Sequence, residues 1–420
     1  MLPQHSRAVA ACLCLSIFAY PTHARDTDKP VENSAELYPY CEPYKGPPDE
    51  KRAQFDMNHL TLTANSCGFI DRTGKFVIDK KFWWIGVFHD GLAPAIDASG
   101  LLGFIDVTGR YVIPPRFSTP ERINTPAFLD GVALAVDESG SGMGAIDTKG
   151  NWIIQPKKKP LLALGQGLVA EIAKKNETLA IKLYDTTGKL IRPEEFEGFV
   201  SPAQDRIFVK LDGKYGLIDI KGNWILEPSP ALTEAKSFSE GLAAVKVGDL
   251  WGYLDTNGQF AIEPQFGSAE PFYEGAATVS PKGSYFHRFI DKSGVYINDV
   301  VFTQNARYGE GLAAISPQVD PKRPFMNGPW HYVDKSGKPA FDWTADYALS
   351  FKLGFAVVSP DENSAGVIDK TGQWRLKPMQ GINTLSIKIL PGPIFQVRPI
   401  KYDQPTWLYF DTDGQPIVPH

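Results

Sequence analysis

Two patterns in this sequence have the form of nucleotide-binding motifs, and both are better explained by local structure. The glycine-rich segment 140–145 matches a dinucleotide-binding loop. Such a loop needs a strand before it and a helix after it, so that a pyrophosphate meets the helix N-terminus. Here a turn sequence beginning at Asp147 follows instead. The GTPase motif Asp-x-x-Gly occurs ten times without a Walker A loop, which a single nucleotide switch cannot explain. Nucleotide chemistry is therefore not expected.

Motifs for metal binding and nucleophilic catalysis are weaker still. Five histidines follow residue 24, and no two have the spacing of zinc ligands. Asp411 and Asp413 resemble the start of a calcium loop, but the third acid and the distal Glu are missing. The sequence has no Gly-x-Ser-x-Gly elbow for a serine nucleophile. We expect no metal, no cofactor and no catalytic residue, although carboxylates from distant segments could still converge.

The Asp-x-x-Gly tetrads are the strongest pattern in the chain. They begin at Asp71, Asp106, Asp147, Asp185, Asp219, Asp255, Asp291, Asp334, Asp369 and Asp411, at an average interval of roughly 38 residues. An apolar residue precedes each Asp. Asp suits the first position of a type I turn, where its carboxylate accepts backbone N–H bonds, and Gly suits the left-handed position that follows. Each tetrad therefore predicts the turn of a β-hairpin.

The segments around each tetrad predict a three-stranded β-meander. In one copy the segment 240–245 opens the first strand, the other two strands are 251–254 and 259–262, and a proline at the exit marks the end of pairing. An aromatic residue stands two positions after the Gly in seven copies, and we interpret these rings as core: Phe76, Tyr111, Trp152, Trp224, Phe260, Tyr296 and Trp374. We expect an all-β tandem array of about ten such units, either an open solenoid or a closed propeller-like ring. Three strands per unit fall short of a four-stranded blade, which slightly favours the open array.

From residue 67 to 420, the units resemble WG repeats, a bacterial β-repeat family. The resemblance is most complete in 238–266, where Trp251 and Gly252 form the Trp-Gly pair. The Gly of the pair is absent from copies four, seven, eight and ten, which carry other residues there: Lys182, Arg288, His331 and Leu408. The resemblance implies no catalytic residues and a binding or scaffolding role.

The N-terminus predicts export. Residues 1–24 have the parts of a signal peptide: Arg7, an apolar run over 8–18, and a small-residue cleavage site that ends at Ala24. We expect a periplasmic or secreted protein without a transmembrane segment, because no later segment holds 18 consecutive apolar residues. Residues 25–66 are interpreted as a leader or an N-terminal cap, and 67–420 as the repeat array. Cys41 and Cys67 are the only cysteines after the leader, which favours a disulfide between them in an oxidising compartment.

Charge and aromatic residues bear on the partner. The formal net charge of −5 excludes a strongly basic surface for nucleic acid. Candidate binding residues are Trp83 and Trp84, between the first two units, and Trp330 and Trp343, in the divergent eighth copy. Core packing is the favoured alternative for all four rings.

These patterns together predict an exported, non-catalytic protein that binds a protein, a peptide or an envelope glycan. The rival hypothesis is a hydrolase or lyase with its site at the centre of a closed ring. A closed ring whose channel holds convergent acids would favour the enzyme. The oligomeric state is left open by the sequence.

Overall fold

The computed structural model describes residues 36–47, 50–51, 65–119, 127–175, 178–317, 328–398 and 407–420. All of them lie in the second of the chain's two compact units, which runs from 31 to 420. The predicted signal peptide and much of the segment 25–66 lie outside the described residues. The described part is built from β-strands, with one short 3-10 helix at Thr384–Ser386. None of its helices is long and apolar enough to cross a bilayer.

Among the described residues, thirty-three strands form nine antiparallel sheets. The first three sheets contain β1 Tyr38–Glu42, β2 Ser66–Ile70 and β3 Phe76–Phe82; β4 Trp84–Ile85, β5 Ala93–Ile96, β6 Leu102–Ile105 and β7 Tyr111–Phe117; and β8 Val132–Val136, β9 Met143–Asp147 and β10 Trp152–Lys157. The next three contain β11 Leu161–Gly165, β12 Leu168–Lys175 and β13 Thr178–Asp185; β14 Gly198–Phe199, β15 Arg206–Leu211, β16 Lys214–Asp219 and β17 Trp224–Ser229; and β18 Leu232–Ala235, β19 Leu242–Val247, β20 Leu250–Asp255, β21 Phe260–Ala269, β22 Ala277–Pro281 and β23 Arg288–Ile290. The last three contain β24 Tyr308–Gly309, β25 Leu312–Ile315 and β26 His331–Asp334; β27 Tyr347–Ala348, β28 Phe355–Asp361, β29 Ser364–Asp369 and β30 Trp374–Gln380; and β31 Ile387–Leu390, β32 Ile394–Val397 and β33 Leu408–Phe410.

Each tetrad marks one repeat unit, and we number the units one to ten from Asp71 to Asp411. Unit two shows the full pattern, four antiparallel strands that we call a, b, c and d: β4, β5, β6 and β7. The predicted meander is confirmed as strands b, c and d, and strand a is a short addition. Units six and seven share one sheet because the long β21 continues from the d position of one into the a position of the next.

The predicted tetrad turn is confirmed in all ten units. In unit two, Asp106 Oδ1 accepts the N–H groups of Thr108 at 2.8 Å and Arg110 at 3.2 Å. Gly109 has φ +77° and donates its own N–H to the Asp106 carbonyl at 2.9 Å. A left-handed φ of this kind is accessible to Gly at little steric cost. The Asp and Gly positions are therefore explained by the geometry of the turn.

The Gly of the Trp-Gly pair makes room for a bulge in strand d. In unit two, Leu102 pairs with Phe117 and Ile105 with Tyr111, so a longer stretch of strand d faces a shorter stretch of strand c. The extra residues press on Gly103, where a Cβ would lie 2.6 Å from the Ile113 carbonyl oxygen. A side chain at this position blocks that approach.

The four units without this Gly lose a regular strand d. In unit four, strand c touches the d segment only at two isolated bridges, Ile181 to Phe196 and Tyr184 to Leu190. Units seven and eight repeat the two bridges, and unit ten keeps one, between Phe410 and Pro416. The divergent copies of the sequence are thus the units whose d segment leaves the sheet between its bridges.

Neighbouring units bury their apolar faces against each other through aromatic pairs. The pairs cross the junctions between units two and three, five and six, six and seven, and eight and nine: Phe104 with Phe128, Phe208 with Phe238, Tyr253 with Phe272, and Tyr332 with Phe351. All eight rings are at most 5% exposed. A single unit is too small to form such a core alone, so the junctions supply it.

The ten repeat units form a ring, and the contact that closes it is the same one that joins successive units. A Cβ built on Gly109 of unit two would lie 2.6 Å from Ile78 Cγ2 of unit one. At the equivalent position of unit one, a Cβ on Gly74 would lie 2.4 Å from the Val418 carbonyl oxygen of unit ten. The N–H of His420 also donates to the Gly74 carbonyl at 3.0 Å. The slight preference for an open array is therefore wrong: the ten units pack in succession into a closed ring, without forming a barrel.

Strand β1 belongs to this closure. Cys41 and Cys67 face each other in the β1–β2 pair and form the predicted disulfide, with an Sγ–Sγ distance of 2.07 Å. Tyr38 of β1 packs against Tyr409 of unit ten, with ring centroids 5.8 Å apart. The hydroxyl of Tyr409 donates to the Pro39 carbonyl. The segment 25–66 therefore contributes a strand to the first unit, and that strand contacts the last unit.

Candidate binding surface

One end of every unit, which we call the turn end, is occupied by contacts between units. The tetrad turns lie there beside the hairpins that join strands a and b. In unit six, this hairpin has Glu240 at φ +51° and Gly241 at φ +88°, and Ser239 and Leu242 exchange backbone hydrogen bonds across it. Positive φ at both central residues is the mark of a type I′ turn.

Carboxylates at the turn end bind the next unit. Glu240 accepts hydrogen bonds from the N–H groups of Glu274 and, at 2.9 Å, Gly275. Glu274 and Glu310 repeat this contact with the hairpins of units eight and nine. The ammonium of Lys292 lies 3.2 Å from the Glu240 carboxylate. These acids accept hydrogen bonds from the backbone of the next unit and so hold successive units in register.

The opposite end, which we call the hairpin end, is the variable one. It carries the b–c connections, which have only two residues in units five and six. The connections are far longer in units one, eight and ten, with 23 residues between β1 and β2, 15 between β25 and β26, and 10 between β32 and β33. In repeat proteins, insertions that map to one face commonly mark the binding face. The hairpin end is therefore the better place to look for a ligand site.

The first pair of candidate tryptophans lies in or against the core. Trp83 is only 3% exposed, and its backbone N–H donates to the Ile96 carbonyl at 2.7 Å. Trp84 is half-buried and packs against the same apolar cluster between units two and three. Core packing explains Trp83, because a ring this buried offers no face to a ligand. Trp84 keeps only part of its ring accessible.

The second pair forms part of a larger aromatic surface at the junction of units eight and nine. Trp330 and Trp343 both pack, half-buried, against the cluster that contains Tyr332. Trp330 meets Tyr347 with ring centroids 5.0 Å apart, and Trp343 meets Trp374 at 6.5 Å with planes inclined by 21°. Tyr347 is 42% exposed and Trp374 is 37% exposed. We call Trp330, Trp343, Tyr347 and Trp374 the aromatic strip.

Two members of the strip were not among the candidates from sequence. Trp374 is one of the seven aromatic residues interpreted as core. That interpretation is wrong for three of them, which are 37–39% exposed: Phe260, Tyr296 and Trp374. All three stand at the start of the d segment, directly after the tetrad turn, where more than a third of each residue stays open to solvent. Tyr347 carries no signal in the sequence. It reaches Trp330 because Ala345, two residues earlier, pairs with Trp330.

The looped d segment of unit eight positions Trp343. His331 stands where other units have the Gly of the pair, and strand c forms β-bridges with the d segment only at Trp330–Ala345 and Val333–Pro339. Trp343 lies between those two bridges. The unit that has His331 in place of this Gly is thus also the unit whose looped d segment carries Trp343.

One buried carboxyl group, that of Glu171, lies away from the strip and has internal partners. Glu171 is 4% exposed and accepts hydrogen bonds from Lys157, from Lys159 at 3.1 Å and from Tyr184 at 3.0 Å. Burial acts to raise its pKa, but these three donors outweigh burial and lower the pKa to about 2. Within the described segments, no group of three or more His, Cys, Asp or Glu residues is placed to hold a metal ion.

Comparison with protein families identifies the repeat. The family model described as "WG containing repeat" matches five segments: residues 68–95, 103–119, 143–157, 215–251 and 251–285. The chain contains WG repeats. The five matched segments coincide with units that keep the Gly of the Trp-Gly pair and its bulged strand d. No curated protein matches the sequence.

The solved structures that match this chain share little sequence with it. A crystal structure titled "the eukaryotic initiation factor" is 9% identical, covers 75% of this chain and 92% of its own, and has a TM-score of 0.51. BamB from Moraxella catarrhalis is 9% identical over 66% of this chain and 88% of its own, with a TM-score of 0.35. The WD40 β-propeller domain of Doa1 is 10% identical over 61% and 94%, with a TM-score of 0.27. The first similarity concerns the fold alone.

Proposed function

We propose that this WG-repeat protein is an exported, non-catalytic binding protein that contacts its ligand through the aromatic strip. The observation that carries the proposal is the group of four rings at the junction of units eight and nine, two of them with more than a third of their surface open to solvent. Tyr and Trp supply large contact areas at low entropic cost, and they dominate the energetics of many interfaces.

The surroundings of the strip support a rigid recognition surface. Tyr332, which lies beneath Trp343, is 1% exposed and donates its hydroxyl to the Leu349 carbonyl at 2.6 Å. Phe341 stacks on Trp343 with planes inclined by 8°. Rings held in this way lose little freedom on binding, so contact energy is not offset by ordering.

Two further arguments support the non-catalytic and exported parts of the proposal. The converging carboxylates of the turn end are bound to backbone N–H groups, and the sequence has no motif for a nucleophile. Export rests on the signal-like residues 1–24, and a disulfide such as Cys41–Cys67 persists in oxidising compartments. A hydrolase or lyase in the ring centre is the alternative that the experiment must separate.

The test uses arrays of peptides and glycans probed with the whole mature chain. The double variant Trp330→Ala/Trp343→Ala should lose at least about tenfold in affinity for any ligand of the strip, since each aromatic contact contributes about 1 kcal/mol or more. Phe260→Ala, another exposed ring on a different unit, is the matched control and should bind as the parent does. Equal binding by the double variant would contradict the proposed surface. Chemical conversion of a bound ligand, followed by mass spectrometry, would favour the enzyme.

A further inference from the structure

Three units keep the Trp of the Trp-Gly pair, and in two of them lysines of the chain cover the ring. In unit six, the ammonium groups of Lys236 and Lys246 lie 5.2 and 6.0 Å from the centre of the Trp251 ring. In unit ten, Lys388 lies 5.4 Å from the ring of Trp407. Cations within about 6 Å of a Trp face are attracted by the ring quadrupole. This position of the repeat is therefore suited to hold a cation.

Unit eight keeps the Trp but has lost the lysines. Aligning its segment 310–312 with 240–242 of unit six places Ala306 at the position of Lys236 and Ser316 at the position of Lys246. Among the described residues, no Lys or Arg lies over the Trp330 ring. Its neighbour is instead the exposed ring of Tyr347, at 5.0 Å.

We infer that the Trp330–Tyr347 pair receives a Lys or Arg side chain of a partner protein, in the place that the chain's own lysines fill in unit six. The inference rests on the proposed function and names the chemistry that part of the aromatic strip recognises. A net charge of −5 favours the approach of a cationic segment over long distances.

An acidic residue on the strand that pairs with Tyr347 fits the same partner. Tyr347 pairs with Ser359 in the β27–β28 ladder. Asp361 stands two residues further along β28, about 7 Å from Ser359 along the strand. Hydrogen bonds from Ser364 and Asn363 hold the pKa of Asp361 below its usual range. The carboxylate is therefore charged at neutral pH and adds an attraction for a cationic side chain.

Comparison with unit six suggests a variant in which a lysine of the chain competes with the partner's cation for Trp330. Ala306→Lys restores to unit eight the lysine that unit six has at this position, so the new ammonium should cover Trp330 and exclude an external cation. Ala306 is half-buried beside the apolar cluster between units seven and eight, so the melting temperature of the variant must show that the fold accommodates the longer side chain. Ala306→Met, of similar length but uncharged, is the matched control.

The experiment titrates the full mature chain with a tetra-lysine and a tetra-arginine peptide, a tetra-asparagine peptide and a neutral chito-oligosaccharide, at low and physiological salt. Trp330→Ala and Ala306→Lys should each weaken binding of a cationic peptide about tenfold, whereas Ala306→Met and Phe260→Ala should change it less than about twofold. Circular dichroism and thermal melting show whether each variant is folded.

The outcomes separate this inference from the proposed function. Cationic peptides that bind the parent and both variants equally, or do not bind at all, overturn the inference. Binding of the neutral oligosaccharide that is lost in Trp330→Ala would then leave the aromatic strip as the ligand surface, with a glycan as its ligand. If Trp330→Ala changes the binding of none of these probes and of none of the array ligands, both proposals are overturned.

Discussion

Tyr409→Phe tests the closure of the ring by removing one oxygen atom. Tyr409 is 3% exposed, and its hydroxyl donates to the Pro39 carbonyl of β1 while accepting from Gln396 Nε2 at 2.9 Å. The variant leaves a buried carbonyl and a buried amide without this partner, and each such loss costs roughly 1–3 kcal/mol. We expect the variant to lose about 2 kcal/mol or more in stability, with the loss located where unit ten meets β1.

Native-state hydrogen exchange measures that location directly. A loss of about 2 kcal/mol corresponds to exchange about thirtyfold faster for amides that open with the junction. The affected amides should be those of β1 and of β31 to β33, and limited proteolysis should cut first in the same region. The junctions between interior units should exchange as in the parent.

Tyr253→Phe is the matched control. This residue is also fully buried, and its hydroxyl donates to the Glu270 carbonyl at 2.8 Å, between strands of the interior units six and seven. Its effect should appear in β20 to β22 and spare β1. If Tyr409→Phe leaves the protection of β1 unchanged, or if both variants affect the whole ring equally, then the contact between the first and last units does not close the ring as a distinct junction.

Three further predictions concern single features of the fold. Gly252→Ala should cost about 2 kcal/mol or more in urea unfolding, because its Cβ would lie 2.6 Å from the Ile262 carbonyl oxygen, and a cost below about 0.5 kcal/mol would contradict the bulge. The ionised Glu171 carboxylate stabilises the fold fully above its usual pKa, and this contribution is lost as pH falls through about 2. Glu171→Gln should therefore make the free energy of unfolding depend less on pH between about pH 4.5 and 2. Reduction of Cys41–Cys67 should cost roughly 3 kcal/mol and raise hydrogen exchange in β1, and the double Ala variant should be insensitive to reductant.

The sequence by itself determined the features that arise within one unit. The Asp and Gly of each tetrad follow from the hydrogen bonds and left-handed φ of a tight turn, which involve neighbouring residues only. The Gly of the Trp-Gly pair likewise follows from contacts inside one unit, and its loss correctly marked units four, seven, eight and ten as different. The disulfide could also be expected, because Cys41 and Cys67 had no other partner.

Only the tertiary structure decided the shape and the binding surface. Whether repeats form an open array or a ring depends on the angle between successive units, and that angle is set by packing at the junctions rather than by the repeat period. The closing contacts join residues as distant as Tyr38 and Tyr409. The same holds for part of the aromatic strip, since Trp374 of unit nine reaches Trp343 of unit eight only when the two units pack side by side.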